Sequence, residues 1–95
     1  MAPRRTLVQH LEAFAARTSR GNSKDAVEKL YADLVNRFPT SSTAEAYRWK
    51  CCLRIALNDY LGVSEQDQRD IAWADAQEAA ERLSWALKKS AGVES

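Results

Sequence analysis

Histidine occurs once in these 95 residues, at His10, and cysteine only as the adjacent pair Cys51 and Cys52. One His and two neighbouring Cys cannot supply the tetrahedral Cys/His set of a zinc site. The acids Glu65, Asp67 and Asp70 lack the turn glycine and distal Glu of a calcium loop. No metal and no cofactor are expected. Adjacent helical residues point about 100° apart, which does not suit a disulfide, and two lone thiols fit a reducing compartment. Glycine is also scarce, with three in all, and none sits in a phosphate-cradling loop or a nucleophile elbow. A Cys–His couple would need His10 brought to Cys51 or Cys52 with a third group to orient it, and the spacing does not ask for that. Glu78 and Glu81 share a helix face with Arg82, the pattern of a solvated surface rather than of acid–base chemistry. No catalytic residue is assigned, and the chain is expected not to be an enzyme.

Strand signals and long apolar runs are missing too. There is no alternating run and no Asn-Gly or Asp-Gly hairpin. No stretch is apolar for long enough to cross a bilayer. Gln9, His10 and Glu12 interrupt the segment from Met1 to Ala16, so no secretory signal is expected, although its Arg-bearing, acid-poor composition is also that of a mitochondrial presequence. The expected location is the cytoplasm, with no membrane partner. The net charge of +1 gives no reason to expect nucleic acid. Charge is unevenly spread, however. Residues 1–24 hold five cations against one acid, and residues 63–81 hold six acids against one cation. The first helix is therefore expected to lie beside the fourth.

What the chain does have is a 3.6-residue apolar period throughout. It predicts a single domain, an all-α bundle of four antiparallel helices joined by short loops, at about 6–19, 24–38, 43–61 and 65–89, with residues 91–95 frayed. Helix one carries Leu7, Leu11, Phe14 and Ala15 on one face and ends near Gly21. Helix two carries Val27, Leu30, Tyr31, Leu34, Val35 and Phe38, takes its cap from Asn22 or Ser23, and is stopped by Pro39. Ser42 with Glu45 fits a capping box for helix three. Leu61-Gly62-Val63 fits a Schellman ending, with Gly62 at C′. Ser64 suits the cap of helix four, whose first turns are acidic and whose last turn holds Lys88 and Lys89.

Helices three and four each carry a second apolar stripe. Ala46, Trp49, Leu53, Ala56, Leu57 and Tyr60 form the core face of helix three, and Tyr47, Cys51 and Ile55 fall opposite. Trp73, Ala76, Ala80, Leu83 and Leu87 form the core face of helix four, and Ile71, Ala74 and Trp85 fall on its other side. A surface helix needs only one stripe. Helix three, with the broader apolar surface, is expected at the centre, with Cys52 at the core edge and Cys51 more exposed. If it is central, its second stripe could face helix one; otherwise both stripes are free for a partner.

The run Leu34-Val35-Asn36-Arg37-Phe38-Pro39-Thr40-Ser41, followed by Ala44, Ala46 and Tyr47, resembles the junction between tetratricopeptide repeats. The resemblance covers residues 27–49 and implies antiparallel helix packing and protein binding. The chain departs from that family in placing Leu61-Gly62 at a helix end and in lacking a second copy at the repeat spacing.

The functional expectation is a protein–protein interaction module, an adaptor, stoichiometric inhibitor or small subunit, that works through Tyr47, Cys51, Ile55, Ile71, Ala74 and Trp85, as a homodimer or on another protein. The alternative is a small nucleic-acid-binding regulator that uses Arg4 and Arg5 as a basic arm and Lys50 and Arg54, one turn apart, on helix three.

Overall fold

Four helices follow one another without a strand among the described residues: α1 Leu7–Ala15, α2 Ser23–Arg37, α3 Ala44–Gly62 and α4 Gln66–Ser90. The structure, a computed structural model, describes residues 6–17, 23–39 and 43–90. The fold is an all-α four-helix bundle. Each helix packs on its two neighbours around a ring, α1 on α2 and α4, and α3 on α2 and α4, with no contact across the diagonals. No helix among the described residues is long and apolar enough to cross a membrane.

The helix starts follow local chemistry. Thr6 caps α1: its hydroxyl accepts from the Gln9 amide at 3.1 Å, and the Gln9 side chain accepts from the Thr6 amide at 3.0 Å. This reciprocal pair satisfies two orphan donors of the first turn. Thr43, in extended backbone, caps α3 by accepting from the Ala46 amide at 3.1 Å. The cap thus falls one residue after the expected Ser42, which lies outside the described residues, as do Gly21 and Asn22. Ser23 is already helical. Gly62 is the last residue of α3 rather than a left-handed cap, and Val63 closes the helix in extended backbone, its amide donating to the Asp59 carbonyl. Helix α4 begins at Gln66, two residues after Ser64. Arg69 supports this turn by donating from Nε to the Val63 carbonyl at 3.0 Å, while its guanidinium lies 6.0 Å from the Tyr60 ring centre.

The core follows most of the stripes read from sequence and adds Ala72, Ala79 and Ala86, with α4 rather than α3 as its spine. α4 makes extensive packing with both α1 and α3, whereas α3 never meets α1. The reason is side-chain size. Ala72, Ala76, Ala79, Ala80 and Ala86 are all buried on α4, and short side chains let neighbouring helices approach closely. Between them Trp73, 3% exposed, stacks tilted against Phe14 of α1 at 5.0 Å and Tyr60 of α3 at 5.7 Å. The Tyr60 hydroxyl shares a hydrogen bond with Ser23 of α2. One side-chain chain therefore links all four helices.

The polar ties also fix direction. Gln77 on α4 donates to the carbonyls of Phe14 at 3.2 Å and Arg17 at 2.6 Å, tying α4 to the end of α1. Lys88 pairs with Glu12 further back along α1, so these helices run antiparallel. The expected neighbours α1 and α4 do pack, but here the acid is on α1 and the cation on α4. Lys89 reaches Glu45 at 3.8 Å at the start of α3. His10 donates from Nδ1 to Asp33 at 2.6 Å, and Arg37 reaches the same carboxylate at 3.3 Å, tying α1 to α2. Val35, expected in the α2 stripe, is 51% exposed; the fully buried line of α2 is Val27, Leu30 and Leu34, with Tyr31 and Phe38 partly buried against the core.

Trp73→Ala should destabilise the bundle by about 3–5 kcal/mol, read as a lower urea midpoint. Gln77→Ala should cost about 1 kcal/mol through the loss of its two hydrogen bonds to the end of α1. A Trp73→Ala midpoint within error of the parent would contradict the central place given to this ring.

Candidate functional site

Helix geometry decides where the second stripes lie. On α3 the residues 52, 55, 56 and 59 turn toward α4, while 47, 50 and 54 turn toward α2. Both sides are occupied differently.

Toward α4, the seam opens into a groove of about 390 Å³. Its apolar part is Trp49, Ile55 and Ala56 from α3 and Ala79 from α4. Asp59 on one wall and Asp75 and Glu78 on the other carry its charge, and Cys52 contributes a thiol. The floor is low because Ala56 and Ala79 are both short where the two helices meet. Glu78 is 3.9 Å from Arg82, its own-helix neighbour. Arg82 in turn lies 5.4 Å over the Trp85 ring.

Toward α2, the Lys50 ammonium sits 5.2 Å from the ring centres of both Phe38 and Tyr47. Such cation–π contacts hold Lys50 against the α2–α3 junction. Arg54, the next cation along this side, is exposed. Arg4 and Arg5 lie outside the described residues.

The six residues expected at a protein interface are therefore not one patch. Tyr47, Ile55, Ile71 and Trp85 are 55%, 58%, 59% and 48% exposed, and Ala74 is exposed. Ile55 lines the α3–α4 groove. Ile71 precedes Asp75 by one turn on the same side of α4 and is not among the residues that line the groove. Trp85 lines a separate hollow of about 180 Å³ with Ala15 at the end of α1 and Ala16 just after it. Tyr47 leans to the α2 side under Lys50. Since α3 has no contact with α1, helix one does not cover the Tyr47–Cys51–Ile55 stripe. Cys51 is half-buried and Cys52 exposed, the reverse of the sequence expectation. The core line of α3 is tilted so that position 52 opens into the groove.

Residues not singled out from sequence also matter here. Asp59 is one turn beyond Ile55, a spacing visible in the sequence, but its convergence with Asp75 and Glu78 requires α3 to pair with α4. Among the described residues, no group of three or more His, Cys, Asp or Glu is placed to hold a metal ion. Comparison with family models, curated proteins and solved structures returned no match, so the tetratricopeptide-like run stays a local likeness.

A maleimide should label Cys52 several times faster than Cys51 in the native protein. Cys52→Ser should remove the fast phase and Cys51→Ser should retain it. The opposite pattern would overturn the placement of the groove face.

Proposed function

We propose that this chain is a non-enzymatic protein–protein interaction module, an adaptor, stoichiometric inhibitor or small subunit, acting in the cytoplasm by pairing with itself or docking on another protein. One observation carries the reading. Ile55, Ile71 and Trp85 stand outside on α3 and α4, helices whose core faces are already filled by Leu53, Leu57, Trp73 and Leu83. Single exposed apolar residues are ordinary. Two large aliphatics and a tryptophan on adjacent helices, flanking a groove and a hollow, suit an interface whose anchors are aromatic and aliphatic.

The nucleic-acid alternative draws less support. Lys50 is engaged by two rings, and the carboxylates of the neighbouring α3–α4 groove would repel a phosphate backbone brought near them.

Light scattering coupled to size exclusion, run across a concentration series, separates self-pairing from docking on another protein. Ile55→Glu and Trp85→Glu should each leave the urea midpoint changed by no more than about 1 kcal/mol while abolishing the dimer or the captured partner. Severe destabilisation by either charge would mean that the position is core. A monomer at every concentration, with no partner retained by the parent and lost by these variants, would defeat the reading.

A further inference from the structure

We infer that the α3–α4 groove is the docking site for a cationic amphipathic helix of a partner protein. The inference rests on the interaction-module reading and names the chemistry of its partner. The helix sets an apolar side chain on the floor made by Ile55, Ala56 and Ala79, and Lys or Arg side chains against Asp59 and Asp75.

Charge complementarity selects this occupant. The residues lining the groove carry three carboxylates and no cation. Elsewhere on the bundle, carboxylates that reach between helices meet a partner there: Glu12 meets Lys88, Glu45 meets Lys89, and Asp33 meets the His10 ring, with Arg37 of its own helix beside it. At the α3–α4 seam Glu78 has only Arg82 at 3.9 Å, and the carboxylates of Asp59 and Asp75 have no hydrogen-bond or ion-pair partner among the described residues. Two unpaired carboxylates on facing walls beside an apolar floor form a potential that attracts a cation and disfavours an anion. An acidic or purely apolar segment would leave both charges without a partner, which is the energetic basis of discrimination. A helix laid along a two-helix groove, with anchors at i, i+3, i+4 and i+7, matches the shape of the site.

The test uses the full chain and a synthetic Leu/Lys peptide with leucines at i, i+3, i+4 and i+7. Its controls are the Leu/Glu counterpart and a Leu/Lys peptide of identical composition in strict alternation. Binding is read by fluorescence anisotropy. Occupancy of the groove is read by the maleimide rate of Cys52 in a Cys51→Ser background. The helical-period Leu/Lys peptide should bind and slow labelling of Cys52, and neither control peptide should do so. Asp59→Asn combined with Asp75→Asn should weaken binding at least about tenfold, while Asp25→Asn combined with Glu28→Gln, an equal charge change on α2, should alter it by less than about twofold. Absence of binding, equal weakening by the two pairs, or unprotected Cys52 overturns the inference. A null peptide result beside an Ile55- and Trp85-dependent complex removes the cationic partner and leaves the interaction module standing. Null results in both experiments remove both.

Discussion

Trp73 is the contact on which the rest of the bundle depends. It projects from α4 into the centre, takes Phe14 of α1 on one side and Tyr60 of α3 on the other, and through the Tyr60 hydroxyl reaches Ser23 of α2. Aromatic pairs at these separations add to the burial of their apolar area. More important here, they are positional. A ring wedged between two others has few alternatives, so the placement of α1 and α3 on α4 follows from it. A domain of this size has only about 5–15 kcal/mol of net stability, and a single buried indole is a large fraction of that.

The alanines of α4 complete the arrangement. Ala72, Ala76, Ala79, Ala80 and Ala86 let neighbouring helices come close, and Trp73 fills the space the alanines leave. The polar ties set register more than stability. Lys88 with Glu12 and Lys89 with Glu45 are half-exposed or exposed pairs of modest worth, but they fix the end of α4 against both of its neighbours. Gln77 does the same in mid-helix by closing α1. The α3–α4 groove is a by-product of this packing. At Ala56 and Ala79 the seam dips, and the longer residues on either side become walls.

Much of this was legible in the residues alone. Of the stripe Ala46, Trp49, Leu53, Ala56, Leu57, Tyr60, all but the partly buried Trp49 are buried, as are Trp73, Ala76, Ala80, Leu83 and Leu87. The exposure of Tyr47, Ile55, Ile71 and Trp85 follows from the same 3.6 period applied to the opposite face. The helix ends were less legible. Ser42, Thr43 and Ser64 can all cap, and the choice among them depends on which backbone adopts the extended conformation. Val35 and the two cysteines sit at stripe edges, where a rotation of some tens of degrees exchanges core for solvent. No sequence period resolves a rotation that small.

Periodicity therefore determined an all-α chain of four helices, most of its core and several of the large apolar residues left outside it, because those follow from 100° steps along one helix. Which helices are neighbours was decided by tertiary packing alone. That choice made α4 the spine rather than α3, kept α3 away from α1, sent Tyr47 and Trp85 to different sides, and brought Asp59 to face Asp75 and Glu78. The physical reason is that such groupings join residues far apart in the chain. They come into being only when short alanine side chains and one indole ring set the distance and rotation between two helices.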